Sequence, residues 1–264
     1  MTKLERLKTI LAEMDGILVA FSGGVDSSLL LRVALEVQPD RVKAVTAVLN
    51  SLPPRELEQA QKITTLLKAS HIKLPIAELD IPGFSENTPE RCYYCKKELL
   101  TRMIRVAEEQ GLKVVVEGSN ADDRKDFRPG MRAIAELGVR SPLQEVGLTK
   151  SEIRELSRAY QLPTWDSPSL ACLASRFPYG VRITKEGLAK VAAGEEFLHK
   201  LGIRQFRLRD HGPVARLEVE LEQATRIIFE NRQKIVDYLK QLGYQYICFD
   251  LEGYRTGSMN KMLG

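Results

Sequence analysis

Residues 16–31 read Gly-Ile-Leu-Val-Ala-Phe-Ser-Gly-Gly-Val-Asp-Ser-Ser-Leu-Leu-Leu. No other stretch limits the fold so tightly. Residues 17–21 are an unbroken apolar run, the pattern of a strand covered on both faces. Ser22, Gly23 and Gly24 make a turn, and Leu29, Leu30, Leu31, Val33, Ala34 and Leu35 then give a helix with one strongly apolar face. A strand that runs through a glycine turn into a helix aims backbone N–H groups and the positive end of the helix dipole at one point. That arrangement suits a phosphate. Gly23 and Gly24 let the backbone come close to the anion and take positive φ where needed. Ser22, Ser27 and Ser28 add hydroxyl donors.

No Gly-Lys-Ser/Thr follows, so the turn is not a Walker loop, and the Gly-x-Gly-x-x-Gly spacing of dinucleotide sites is missing. Ser-Gly-Gly-Val-Asp-Ser-Ser instead resembles the PP-loop of the ATP pyrophosphatases, which release pyrophosphate and transfer AMP to a substrate oxygen. The resemblance implies that Ser22, Gly23, Gly24, Val25, Asp26, Ser27 and Ser28 bind ATP and its pyrophosphate.

Along the chain, residues 2–14 form an amphipathic helix, 41–49 a second strand, and 53–70 a helix with proline in its first turn. Residues 71–79 read as a third strand. A loop holding Asn87, Arg91, Cys92 and Cys95 leads to a helix over 96–110, and 113–117 is a fourth strand. Strands alternating with helices of this length imply a parallel sheet wound on both sides. Ligands of such sheets sit beyond the carboxyl ends of the strands, which adds Glu117 and Gly118 to the expected ATP site. Thr149-Lys-Ser-Glu152 is a capping box opening a helix to residue 160. After a boundary near 177–183 the pattern changes to helix (184–201), strand (205–210), strand (214–220), helix (222–242) and strand (244–251). The expected fold is α/β: a PP-loop (adenine nucleotide alpha hydrolase-like) parallel sheet over 1–180, followed by a small α+β domain over 181–264 for substrate binding or oligomerisation. Its sheet is expected to be antiparallel and somewhat ferredoxin-like.

The chain has 264 residues, 44% of them hydrophobic, with 39 basic against 35 acidic side chains and a net charge of +4. That is enough for a real core and too weak a basic excess to argue for nucleic acid as a partner. No apolar run approaches the roughly 20 residues that span a bilayer. The N-terminus reads as a helix start and not a signal peptide. The expectation is a cytoplasmic protein with no membrane partner. Four cysteines in a chain this long do not suggest a disulfide scaffold.

Cys92 and Cys95 form Cys-Tyr-Tyr-Cys. Alone, that spacing fits a redox pair, half a zinc site or part of an iron–sulfur site. His71, His199 and His211 offer no obvious fourth zinc ligand. Cys172 lies on a loop expected at the same end of the sheet, beside Arg176. There it reads as a nucleophile or sulfur donor. Cys248 sits in the apolar segment Tyr246-Ile-Cys-Phe and reads as a small core hydrophobe.

The motifs Cys-Tyr-Tyr-Cys-Lys (92–96), Glu-Gly-Ser-Asn-Ala-Asp-Asp (117–123), Arg-Pro-Gly-Met-Arg-Ala (128–133), Leu-Thr-Lys-Ser-Glu-Ile-Arg (148–154), Pro-Ser-Leu-Ala-Cys-Leu-Ala-Ser-Arg (168–176) and Asp-Leu-Glu-Gly-Tyr-Arg-Thr-Gly-Ser-Met-Asn (250–260) together resemble the LarE family. Those enzymes are ATP-dependent sulfurtransferases that build the nickel-pincer nucleotide cofactor of lactate racemase. The resemblance implies a pyridinium-3,5-biscarboxylic acid mononucleotide substrate, whose carboxylates ATP adenylates and sulfur then converts to thiocarboxylates. Members with one active-site cysteine give up its sulfur. Members with three are believed to hold a 4Fe–4S cluster that carries an extra sulfide. With Cys92, Cys95 and Cys172 together, this chain resembles the second class. The resemblance also implies a homo-oligomer.

Chemistry on these residues would need ATP, Mg²⁺ held partly by Asp26 or by the phosphates themselves, and Cys172 and Arg176 at the reacting centre. The substrate's anionic groups need basic partners. Arg207 and Arg209 share a face by the two-residue strand period and make a plausible phosphate clamp. Arg216 and Arg255 are further candidates. Glu195, Glu196, Glu218 and Asp210 could hold a cation or orient these arginines, and most charged residues simply face water. The rival readings are a sacrificial Cys172, a PP-loop tRNA thiolase, an ammonia-using ligase, and a nucleotide-binding module with no pyrophosphate release.

Overall fold

The computed structural model describes residues 1–125, 129–168, 171–203 and 205–255, apart from the side chains of 124, 125, 223 and 225–229. Residues 126–128, 169–170 and 256–260 of the quoted motifs therefore lie outside the described residues. By compactness the chain forms two units. The first is Met1–Ile81 with Cys92–Leu170, and the second is Pro82–Arg91 with Ala171–Gly264.

The first unit runs α1 (Lys3–Ala12), β1 (Ile17–Ala20), α2 (Val25–Val37), β2 (Val42–Val48), α3 (Pro54–Leu66), β3 (Ser70–Pro75), α4 (Arg91–Glu109), β4 (Val114–Val116), α5 (Gly130–Glu136), α6 (Pro142–Glu145) and α7 (Lys150–Ala159). The strands form one parallel sheet in the order β3-β2-β1-β4. A backbone pairing of Val116 with Arg140 extends it by a single residue beyond β4. Alternation along β1 explains its continuous apolar run. Ile17 and Val19 join the core built with α1, α2 and α7, while Leu18 joins the core built with α4 and α5 on the opposite face. A strand buried on both sides has no polar side to show. Thr2 and Thr149 each close a reciprocal capping box, with Glu5 and Glu152, satisfying donors that the first helical turn leaves over.

One expectation fails here. Cys92 and Cys95 do not sit in a loop ahead of a helix. α4 begins at Arg91, and both cysteines lie in its first turns. Pro89 stands just before the helix, where its fixed φ and missing N–H cost least. The Arg91 N–H reaches back to the Thr88 carbonyl at 3.0 Å.

The second unit contains α8 (Lys185–Lys200), β5 (Phe206–His211), β6 (Val214–Val219), α9 (Leu221–Gln241) and β7 (Tyr246–Phe249). β5 and β6 form an antiparallel hairpin. β7 pairs with β6 in parallel, so the sheet is mixed, not antiparallel. The 21 residues of α9 explain this, because a parallel neighbour needs a long crossover and a helix supplies it. The core is Leu198, Phe206, Leu208, Ala215, Leu217, Leu239 and Tyr244 with their neighbours. Residues 82–91 join this unit through their backbone. Ile183 N–H donates to Ser85 O at 2.8 Å and Gly180 N–H to Asn87 O at 3.0 Å. The fully buried Asn87 also donates its amide to Pro178 O at 2.7 Å.

Candidate active site

The glycine turn takes the tight, positive-φ backbone that its sequence allows. Gly23 has φ of +76°, and a Cβ there would lie 2.9 Å from the Ala60 Cα of α3. Only glycine meets both demands. Gly24 is the N-cap of α2. Ser22 and Ser27 brace the turn internally: their hydroxyls are 3.1 Å apart, and the Ser27 hydroxyl donates to Gly24 O at 3.2 Å. Ser28, by contrast, is fully buried and lies inside α2 rather than at its open end.

The turn lines a cleft of about 300 Å³ at the carboxyl ends of β1 and β4, together with Lys96, Glu117, Gly118, Ser119, Asn120, Asp123 and Lys150. Gly118 keeps this cleft open over the first turn of α2, since a Cβ at that position would sit 3.1 Å from Ser27 N. Ser22, Gly24, Val25, Asp26, Ser27, Glu117 and Gly118, all expected at the nucleotide, thus line one cavity. Asp26 is bound by the Lys150 ammonium and accepts from the Asn120 amide at 3.2 Å.

Glu117 is buried. It accepts from the Ser119 N–H at 3.0 Å, the Ser119 hydroxyl at 2.9 Å, the Ser141 hydroxyl and the Lys96 ammonium at 3.2 Å. Burial pushes its carboxyl up, but Lys96 and these hydrogen bonds outweigh that and hold it below the usual range. It is therefore a fixed anion that positions the strand end and Lys96. Lys96, Ser119, Asn120 and Lys150 went unassigned in the sequence. Lys150 had a usable signal, standing at the first helical position of a capping box on the strand-end side.

In the second unit, Cys172 is exposed and precedes a single 3₁₀ turn, Leu173–Arg176. Arg176 does not present its charge outward. It is buried and paired bidentately with Glu195 of α8, at 2.8 and 2.9 Å. Its remaining nitrogen donates to Ala171 O at 3.0 Å, to Cys172 O at 3.2 Å and to the Ser175 hydroxyl at 2.9 Å. Arg176 therefore fixes the cysteine turn. Burial raises the Glu195 carboxyl, but Arg176 and the Leu208 N–H hold it below the ordinary value.

Arg207 and Arg209 do share a face of β5. Arg209 is buried, donating to Ser175 O at 2.8 Å and to the fully buried Glu218 at 2.6 Å. Arg216 bridges Glu218 at 3.1 Å and Asp250 at 2.7 Å. Arg207 is half-buried under the Tyr254 ring. Arg255 pairs with Glu252. Glu195, Glu218 and Asp210 are buried and so do not face water. The first two orient arginines, while Asp210 holds Lys190 at 3.3 Å and accepts from Tyr244 OH at 3.0 Å.

Cys248 is not a core residue. It is exposed, opposite Arg216 in the strand register. β7 is an edge strand whose Ile247 and Phe249 pack on the core, so the alternate positions, Tyr246 and Cys248, point away.

Cys92 and Cys95 lie at i and i+3, on one face of α4, near its positive dipole end. Soft thiolate donors there suit iron–sulfur or zinc chemistry. Among the described residues no three His, Cys, Asp or Glu side chains gather into one metal-holding group.

Residues 2–127 match the model of the PP-loop domain. The chain is similar to an uncharacterized protein of Synechocystis sp., 40% identical over 99% of this chain and 98% of the relative. It is 31% identical to an uncharacterized protein of Methanocaldococcus jannaschii over 96% of this chain and 98% of that one. It is also 35% identical, over 99% of this chain and 95% of the relative, to the pyridinium-3,5-bisthiocarboxylic acid mononucleotide synthase of Lactiplantibacillus plantarum. The chain belongs to the LarE family. As a LarE protein it is an ATP-dependent sulfurtransferase of cofactor biosynthesis, and its glycine turn lines the cleft described above.

Proposed function

We propose that this LarE protein adenylates the carboxylates of a pyridinium-3,5-biscarboxylic acid mononucleotide and converts them to thiocarboxylates. A carboxylate is a poor electrophile until one of its oxygens can leave. Attack of that oxygen on the α-phosphorus of ATP forms an acyl-adenylate and breaks the bond to pyrophosphate. A sulfur nucleophile then adds to the acyl carbon, and AMP departs with the original oxygen. The PP-loop amides, the α2 dipole and the ammonium groups of Lys96 and Lys150 stabilise charge on the departing pyrophosphate. Asp26 would hold Mg²⁺, which neutralises phosphate charge.

Cys92, Cys95 and Cys172 would hold a 4Fe–4S cluster, which would supply sulfide for the transfer. Support comes from the paired thiols on the first turns of α4. Arg207 and Arg255 would meet the substrate's anionic groups, while Arg209 and Arg216 are held by Ser175 O, Glu218 and Asp250 and would shape the site from behind. Residues 1–180 handle the nucleotide, and 181–264 bind the substrate or join copies in a homo-oligomer.

The single observation that carries the sulfur-transfer reading is the exposed Cys172 on a turn clamped from behind by Arg176 and Arg209. It equally favours a second reading, in which Cys172 gives up its own sulfur. Iron and acid-labile sulfide in anaerobically prepared protein separate the two. About four of each per chain, lost in Cys92→Ala, is the expected result. No iron after reconstitution, with a Cys172 peptide lighter by one H₂S after turnover, would replace the cluster with sacrifice.

A further inference from the structure

His71 stands on β3, two strands away from the glycine turn, and sequence reading gave it no role. Its Nε2 lies 2.8 Å from the Thr46 hydroxyl of β2. That hydroxyl donates to the Phe21 carbonyl at 2.8 Å. Phe21 is the residue immediately before Ser22, and its own N–H is held by Val45 O at 2.8 Å. A carbonyl only accepts, so the one proton of Thr46 is committed to Phe21. The Thr46 oxygen must then accept from His71, which places the ring proton on Nε2.

The other ring nitrogen, Nδ1, lies 3.2 Å from the Thr64 hydroxyl of α3. With the ring proton on Nε2, Nδ1 only accepts, so the single Thr64 proton goes to Nδ1 rather than to the Ala60 and Gln61 carbonyls that also lie 3.0 Å from it. Ala60 is the residue that packs against Gly23. One imidazole thus ties together both walls of the glycine turn: the strand end that feeds it and the helix that presses on it.

We infer that His71 is a positioning residue for the phosphate loop, acting through Thr46 on the Phe21 carbonyl and through Thr64 on α3. Burial, and then Lys73, hold its imidazole below the ordinary range. The groups facing it from β1, β2 and α3 (Phe21, Thr46 and Thr64) carry no charge, and Lys73 is itself drawn off to Gln61 at 2.8 Å. The neutral Nε2–H form is therefore the working one. The inference rests on the loop being the nucleotide site, but its test does not use nucleotide.

Amide hydrogen exchange over residues 17–31, read by mass spectrometry in the intact chain, is the measurement. His71→Leu is expected to speed exchange of that peptide about tenfold, the scale of one lost hydrogen bond. His71→Gln, whose amide can donate where Nε2–H did, is expected to return it to near the unsubstituted rate. Thr46→Val should match His71→Leu, and the double variant should add nothing further. Peptides from β5 and β6 serve as the internal control for global unfolding. Unchanged exchange in His71→Leu would overturn the inference. So would equal acceleration in the Leu and Gln variants.

Discussion

Arg176 is the residue where charge and role part company. Its place beside Cys172 suggests a group aimed at substrate, yet the guanidinium is spent on Glu195 and on the carbonyls of the cysteine turn. The distinction is testable because a buried carboxylate stripped of its partner is costly. Arg176→Ala should destabilise the protein by roughly 3–5 kcal/mol in urea unfolding, with Arg176→Lys recovering only part, since an ammonium cannot make the two-pronged contact. If Arg176 faced substrate instead, the alanine variant would keep its stability and lose turnover alone. Gly23 is the opposite case, with its role readable from the chain. Gly23→Ala forces an L side chain to φ of +76° and into the Ala60 backbone. ATP affinity by calorimetry is expected to fall at least about tenfold, from strain of about 1–2 kcal/mol. The glycine was legible because a tight turn between strand and helix admits nothing else. The Arg176–Glu195 pair was not, because 19 residues and a change of element separate them, and pattern says nothing about which charges meet.

At the level of the element, α4 and α7 carry most of what the sequence left open. The capping box at Thr149–Glu152 was readable from its spacing. That it would aim Lys150 across the cleft at Asp26 was not, since nothing local fixes where a first-turn lysine points. Lys150→Met is expected to slow pyrophosphate release about a hundredfold, the usual loss for one fixed donor at a developing charge, while leaving the melting temperature within a few degrees.

The same cap makes a prediction about acid. Glu152 is held down to about 2, first by Lys3 and then by the Thr149 N–H and hydroxyl. A depressed carboxylate stabilises the fold above its unfolded value and loses that contribution as pH falls through the folded one. Glu152→Gln should therefore cost about 1 kcal/mol at neutral pH, shrinking as pH drops from about 4.5 towards 2. Thermal melts of both proteins across that range would show it. In the second unit, strand positions were legible from alternation, but strand direction was not. A helix as long as α9 permits β7 to enter beside β6 from either end. The same ambiguity hid Cys248, because Tyr-Ile-Cys-Phe reads as continuous core when the strand's edge position is unknown.

For the molecule as a whole, the doubly wound parallel sheet followed from the order of elements, as did the change of character in the last third of the chain. The excursion of residues 82–91 into the second unit did not. It depends on Asn87 and Arg91 reaching backbone carbonyls some ninety residues away in sequence, and no periodicity announces such a contact. Among the described residues no helix is long and apolar enough to cross a membrane, in keeping with the hydropathy of the sequence.

The measurement that bears most directly on the function is a single anaerobic turnover assay. It would supply ATP, Mg²⁺, sulfide and pyridinium-3,5-biscarboxylic acid mononucleotide, and resolve the products by mass. The expected result is AMP and pyrophosphate in equal amounts, formed only when the mononucleotide is present, together with mononucleotide in which carboxylate oxygen has been replaced by sulfur. AMP and pyrophosphate without sulfur in the mononucleotide, or ATP split to ADP and phosphate, would contradict it.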